Sequence, residues 1–346
     1  MKSNRILTMA QAISEGIAQE MTRDANVFVM GEDIGAYGGI FGATGGLLDK
    51  FGKDRIIDTP ISETAFIGAA TGAAAAGLRP IVELMFVDFF GVCMDQIYNH
   101  LAKNTYMSGG HVKLPVVLTT AIGGGYSDAA QHSQCLYGTF AHMPGIKVVV
   151  PSNAYDAKGL MIEAIRDDNP VMFMYHKGIM GLPWMAYFEG SSNVVPEEAY
   201  SIPFGKAKIV KEGADLTIVT ISQMVQKAIL AANELTKVSI HAEVLDLRTL
   251  VPMDTHAILK SVQKTGRLLI ADEDYLGFGL SGEVSALIAE NLDTIRLKAP
   301  IKRLAVPNVP IPYSRPLEQF VIPQVANIVQ AAEALMLKKV AQPVPM

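Results

Sequence analysis

Apolar residues recur every four positions at Met9, Ile13, Ile17 and Met21, the stripe of a helix with one buried face. Thr8, with Gln11 three residues on, reads as a capping box that starts it. Val27 to Met30 is a short apolar run closed by Gly31-Glu32-Asp33, and the loop from Gly35 to Gly46 is dense in glycine. Glu63 then opens an almost uncharged Gly/Ala helix from Ala65 to Leu78, followed by a strand that ends in methionine and phenylalanines. The pattern next predicts a helix from about Gly91 to Met107, a strand near Leu114 to Thr119 and a Gly123-Gly124-Gly125 loop. A strand at Ile146 to Val150, a helix capped by Ser152 and running to Arg166, and a strand at Val171 to Tyr175 complete the first half. Continuous apolar strands alternating with helices predict an α/β fold, a mostly parallel sheet covered on both faces.

From His176 to Pro203 the period breaks at Gly178, Gly181, Pro183, Gly190, Pro196 and Pro203, a punctuation expected of an interdomain linker. The second half resumes the alternation. Strands are predicted at Leu216 to Ile221, Ile240 to Leu245, Leu268 to Ala271 and Leu304 to Val306. Helices are predicted at Gln223 to Leu235, Asp254 to Lys264, Leu280 to Glu290 and Gln324 to Leu337. The expected organisation is a first α/β domain at 1–180, a linker at 181–204 and a second α/β domain at 205–346.

Composition narrows the function classes. The 346 residues are half hydrophobic, ample for two cores, yet no run of about 18 uncharged apolar residues marks a membrane span. A net charge of −5 without a basic stripe argues against a nucleic-acid partner. Cys93 and Cys135 lie far apart, against a disulfide framework or a zinc site. The first residues resemble neither a secretory nor a transit segment, so a cytoplasmic protein is the simplest expectation.

Gly277-Phe278-Gly279-Leu280-Ser281-Gly282 matches the dinucleotide-binding spelling G-x-G-x-x-G. That chemistry needs glycines directly at a strand end, with a pyrophosphate on the helix start. Here Asp272, Glu273 and Asp274 intervene, so a plain glycine turn is the better reading, with a nicotinamide-dependent dehydrogenase as a distant rival.

Glu63 is the lone acid at the head of its helix. Such acids usually serve only the helix dipole. Burial beside Ile61, Phe66 and Ile67 would instead raise its pKa and make it a proton donor near neutral pH. His132, in the loop run Ala130-Gln131-His132-Ser133-Gln134-Cys135, is the second candidate. Cys135 has no base beside it in sequence and reads as packing.

These pieces resemble one family. Gly31-Glu32-Asp33, Asp58-Thr59-Pro60-Ile61-Ser62-Glu63, Tyr106-Met107-Ser108-Gly109-Gly110, Ala130-Gln131-His132-Ser133-Gln134, Val150-Pro151-Ser152-Asn153 and Asp246-Leu247-Arg248-Thr249 are similar, in this order, to the β subunit of the thiamine-diphosphate-dependent component of 2-oxo acid dehydrogenase complexes. The resemblance implies a pyrimidine-binding domain followed by a transketolase C-terminal-like domain. It gives Glu63 the cofactor's pyrimidine nitrogen N1′, and with it loss of the thiazolium C2 proton. Ile61, Met85 and Phe89 would pack around the cofactor, with Phe89 stacking on the pyrimidine, and His132 would orient substrate or help proton transfer during acyl transfer. Glu32 and Glu83 would join a carboxylate relay between paired sites, although a solvated strand acid explains Glu83 as well. Val116, Ala164, Ile165, Asp167 and Asn169 match a monovalent-cation (K+) site of backbone carbonyls, for which an ordinary helix end and turn is the competing explanation.

The family's magnesium–diphosphate motif, G-D-G with later paired asparagines, is absent from this sequence. The expectation is therefore an obligate α subunit that holds Mg2+ and the diphosphate, in an α2β2 heterotetramer serving a lipoyl-bearing acyltransferase component. Glu83 to Cys93 and Gln134 to Gly138 look most like acetoin dehydrogenase β subunits, with pyruvate or a branched-chain 2-oxo acid as the alternative small-molecule substrate. A noncatalytic supporting subunit is the rival from another class.

Overall fold

The computed structural model describes residues 5–183 and 190–337. The expected linker's residues 184–189 lie outside them. The first half runs β1 (Ile6–Leu7), α1 (Met9–Arg23), β2 (Val27–Gly31), α2 (Leu47–Phe51), β3 (Ile56–Asp58), α3 (Glu63–Ala75) and β4 (Arg79–Phe86). After two irregular turns come α4 (Asn104–Met107), β5 (Val117–Ile122), α5 (Tyr137–Ala141), β6 (Lys147–Val149), α6 (Ala154–Arg166), β7 (Val171–His176) and β8 (Asn193–Val194). The second half contributes β9 (Lys208–Lys211), β10 (Leu216–Thr220), α7 (Gln223–Thr236), β11 (Ala242–Asp246), β12 (Thr249–Val251) and α8 (Thr255–Thr265). It ends with β13 (Leu268–Tyr275), α9 (Leu280–Ala289), β14 (Lys302–Val306), α10 (Arg315–Val321) and α11 (Val325–Leu337).

Two layered α/β units result. A seven-stranded sheet has the order β12-β6-β7-β5-β4-β2-β3, parallel except at β12, and a five-stranded sheet has the order β14-β13-β10-β11-β9, parallel except at β9. Strand β12 comes from the second half yet pairs with β6, so the first sheet is completed across the expected boundary. The predicted capping box is present: Thr8 Oγ1 accepts from the Gln11 amide, and the Gln11 side chain accepts from the Thr8 amide.

Several predicted elements move. Asn153, not Ser152, caps α6; Ser152 Oγ instead donates to Asp246 across the domain seam at 2.5 Å. The helix expected from Gly91 to Met107 is a 3-10 turn (Val87–Gly91), a π turn (Gln96–Leu101) and the short α4. The strand expected at Leu114 starts three residues later, past Pro115, which has no N–H for the ladder. His176 to Met180, placed at the start of the punctuated stretch, is buried, and β8 within the linker pairs with β1. The apolar C-terminal segment is broken at Pro323. Its longer part, the 13-residue α11, packs Ile328, Ala332 and Leu335 on the second core and is too short for a bilayer of about 30 Å.

Gly279 is required by a close approach: a Cβ there would sit 2.2 Å from the Tyr275 carbonyl. The G-x-G-x-x-G run is thus a tight strand-to-helix turn. The acids before it belong to β13 and point into the protein, buried at the seam with the first domain.

Candidate active site

Parallel strands gather their C-terminal ends, and the loops that follow them, along one edge of a sheet, where ligands of open α/β folds bind. Here that edge carries Glu32 after β2, Glu63 after β3, Met85 to Phe90 at the end of β4 and the glycine loop after β5. The register between β4 and β5 slips between Leu84 and Phe86. Met85 is the extra residue, and such a bulge re-aims side chains at a sheet's rim.

Glu63 is the first residue of α3, half-buried, and among the described residues nothing donates a hydrogen bond to its carboxylate. Its neighbours feel its charge. Burial, then the nearness of Glu63, push the Glu32 carboxyl above its ordinary value, the Ser62 amide offsetting part of this. Glu32 Oε1 is buried without a partner. Burial and Glu63 likewise raise the Cys93 thiol to about 12, which keeps it inert.

Segment 86–93 lies between Glu63 and His132. On one side Thr64 Oγ1, next to Glu63, donates to the Val92 carbonyl at 2.7 Å. On the other, the His132 ring meets Phe86 edge-on at 4.8 Å and Phe89 at 5.5 Å. His132 Nδ1 lies 3.2 Å from the Asp128 carbonyl. A carbonyl only accepts, so Nδ1 carries the proton and Nε2 of the neutral ring is left bare to accept one. Lys177 fixes this arrangement by donating to the Asp128 carboxylate and the His132 carbonyl.

The structure thus brings Phe89, His132 and Glu63 to one edge, with Met85 half-buried at the bulge. Ile61 stands two residues before Glu63 and is 84% exposed. Glu83 is only 2% exposed, which removes the solvated reading; Tyr175 Oη donates to it at 3.0 Å, and burial raises it to about 7. Cys135 is buried in the core with its thiol pushed well above the ordinary value.

At the expected cation seat, Val116 O accepts from the Val171 amide at 2.9 Å and Ala164 O from the Asp167 amide at 3.3 Å. The carbonyls of Ile165 and Asp167 accept from the Arg79 guanidinium at 2.9 and 2.7 Å. Asp167 Oδ1 accepts from the Asn169 side chain at 3.0 Å. A positive charge is therefore already built into this seat. Among the described residues no cluster of three His, Cys, Asp or Glu is arranged to hold a metal ion.

Sequence reasoning missed the supports. Phe86 was only one of several aromatics in its run. Asp88, whose Oδ1 accepts from the Gln134 side chain at 2.9 Å, has its other oxygen buried and unpartnered. Glu273 and Glu318 reach the glycine loop from the second domain, and no local pattern announces a contact across 149 residues or more.

The transketolase pyrimidine-binding domain family matches residues 6–181, and the transketolase C-terminal domain family matches 205–328. The acetoin:2,6-dichlorophenolindophenol oxidoreductase β subunit of Cupriavidus necator is 49% identical, over 96% of this chain and 98% of its own. The pyruvate dehydrogenase E1 component β subunit of Rickettsia bellii is 44% identical, over 94% and 98%. A solved split-gene transketolase, described as an inactive β4 tetramer, shares the fold at a TM-score of 0.75 and 22% identity, over 96% of this chain and 99% of its own. The chain belongs to the family of acetoin and 2-oxo acid dehydrogenase β subunits.

Proposed function

We propose that this chain is the β subunit of a thiamine-diphosphate-dependent acetoin dehydrogenase component, active with a separate α subunit. The observation that carries the reading is the half-buried, unpartnered Glu63 carboxylate beside Glu32, at the sheet edge that also presents Phe86, Phe89 and His132. A carboxylate kept free of protein donors suits a ring nitrogen of the cofactor. The buried, unpartnered Glu32 oxygen and the aromatic wall suit the same ligand. When bound, thiamine diphosphate supplies a nucleophilic carbon and an electron sink for breaking a bond next to a carbonyl.

The residues of this chain do the rest. Glu63 holds and protonates the pyrimidine nitrogen, Ile61, Met85 and Phe89 pack beside the ring, and His132 Nε2 accepts or returns a proton near the substrate. Glu32 and Glu83, both raised by burial, fit a proton relay away from Glu63. The α subunit supplies Mg2+ and the grip on the diphosphate, for which this sequence has no G-D-G motif. The exposed, uncharged face of α3 at Ala65, Ala69 and Gly72 suits close subunit contact in an α2β2 assembly. K+ fits the carbonyl seat only through lone pairs not taken by Arg79, and no step depends on it.

In the overall reaction acetoin is cleaved, its acetyl unit passes to a lipoyl disulfide of the acyltransferase component, the disulfide is reduced to a thioester and a thiol, and acetaldehyde leaves. The similarity to the Rickettsia protein keeps pyruvate as the second reading. Co-expression with the α subunit, then turnover of acetoin and pyruvate with dichlorophenolindophenol as electron acceptor, tests the proposal. Acetoin turnover dependent on added thiamine diphosphate is expected. Preference for pyruvate would overturn the substrate, and indifference to the cofactor would overturn the function.

A further inference from the structure

The loop that carries His132 is held from its own domain by Asp88 and Lys177 and also from the other one. Gly124 N donates to Glu273 Oε1 at 2.9 Å. Gly125 N donates to Glu318 Oε1 at 2.7 Å, and Ser127 N to Glu318 Oε2 at 3.0 Å. At the loop's far end Tyr275 Oη donates to Gln134 Oε1 at 3.2 Å, Gly138 N donates to Asp274 at 3.1 Å, and Tyr137 Oη donates to Asp272. Every residue of the acidic run 272–274 that spoiled the dinucleotide motif therefore grips segment 123–138.

Glu318 makes the most local of these contacts. It is fully buried on α10 and chelates two amides of a turn whose Ser127 and Ala129 have φ of 59° and 60°, a region non-glycine residues disfavour. Carboxylate–amide bonds are about twice as strong as neutral ones, so they can hold the loop in that conformation. The residue after Ser127 is Asp128, whose carbonyl accepts from His132 Nδ1. A shift of this turn frees Nδ1 and releases the ring's tautomer, and with it the direction of Nε2.

We infer that Glu318, with Glu273 beside it, is a positioning residue by which the C-terminal domain sets the orientation and tautomer of His132. The inference rests on the placement of His132 in the active site proposed above.

Two measurements test it. In the full-length chain, hydrogen exchange of the Gly125 and Ser127 amides should quicken by about tenfold or more in Glu318→Ala. Glu318→Gln, which keeps one acceptor oxygen, should fall between. In the enzyme assembled with its α subunit, Glu318→Ala should lower kcat/KM by about tenfold or more and Glu318→Gln by less. Added to His132→Ala it should lower kcat/KM by less than about twofold further, because residues acting as one unit are not additive. Unchanged amide exchange would overturn the anchor. Losses that multiply in the double variant would overturn its action through His132 and leave Glu318 as a structural residue. A wild-type assembly without thiamine-diphosphate-dependent turnover would remove the proposed function instead, with the exchange result still deciding whether the anchor exists.

Discussion

Replacing Glu83 by Gln should make stability less dependent on pH. Glu83 sits in the middle of the first sheet, 2% exposed, with Tyr175 Oη donating to it. A Cβ added to Gly39 would lie 3.5 Å from its other oxygen, so the glycine loop closes over it. Burial raises this carboxyl from 4.5 to about 7, while the Tyr175 hydroxyl is pushed well above its ordinary value and stays neutral. A carboxyl raised on folding contributes stability that is fully present below its unfolded pKa and is lost as pH climbs through the folded one. The window is therefore from about pH 4.5 to about pH 7. At about 1.4 kcal/mol per pH unit the loss across it is about 3 kcal/mol. Gln has the same shape, accepts the Tyr175 bond and never ionises. Asp246 and Asp272, also raised to about 7, act alike in both proteins and cancel in the comparison. Urea unfolding of the wild-type and Glu83→Gln chains at intervals between pH 4.5 and 8 should show the variant gaining about 3 kcal/mol relative to wild type as pH rises. Parallel pH curves would refute the buried, protonated Glu83.

Other perturbations follow from the seam and the strand ends. Arg248 Nε and Nη2 grip both oxygens of the fully buried Asp156 at 3.0 and 2.6 Å. Arg248→Met should lower the unfolding free energy by about 3–5 kcal/mol, and adding Asp156→Leu should recover most of it; a single-variant loss below about 1 kcal/mol would contradict a desolvated pair. Gly123 has φ +88°, and a Cβ there would lie 1.8 Å from the buried His176 ring, so Gly123→Ala should lower stability by about 3 kcal/mol. A thermal midpoint equal to wild type would show that the loop relaxes freely.

What was legible in the sequence was local. The Thr8–Gln11 box and the apolar strands each express short-range rules, and the corresponding elements form. The candidates Phe89 and His132 were also legible, through their runs, and the structure brings their rings together. What stayed hidden depends on distant chain. Ser152 looked like the cap because the sequence does not reveal that its hydroxyl meets Asp246. Thr249–Val251 reads as part of the second domain, yet it joins the first sheet. Asp272, Glu273 and Asp274 read as lying between a strand ending at Ala271 and the glycine turn, whereas the strand continues through them and buries them against the first domain. Glu318, just inside a helix, looks like any dipole-matching acid. A chain pattern records periodicity, but not which donors a buried acid will meet.

The central claim is that Glu63 acts on bound cofactor at this sheet edge. The measurement closest to it is turnover of Glu63→Gln in the complex with the α subunit at saturating thiamine diphosphate, with cofactor binding followed separately by calorimetry. Loss of proton transfer by a positioned acid should lower turnover by about 100-fold or more while the assembly still forms and still binds the cofactor. Turnover near the wild-type rate would contradict the account and leave this chain as a support for its partner.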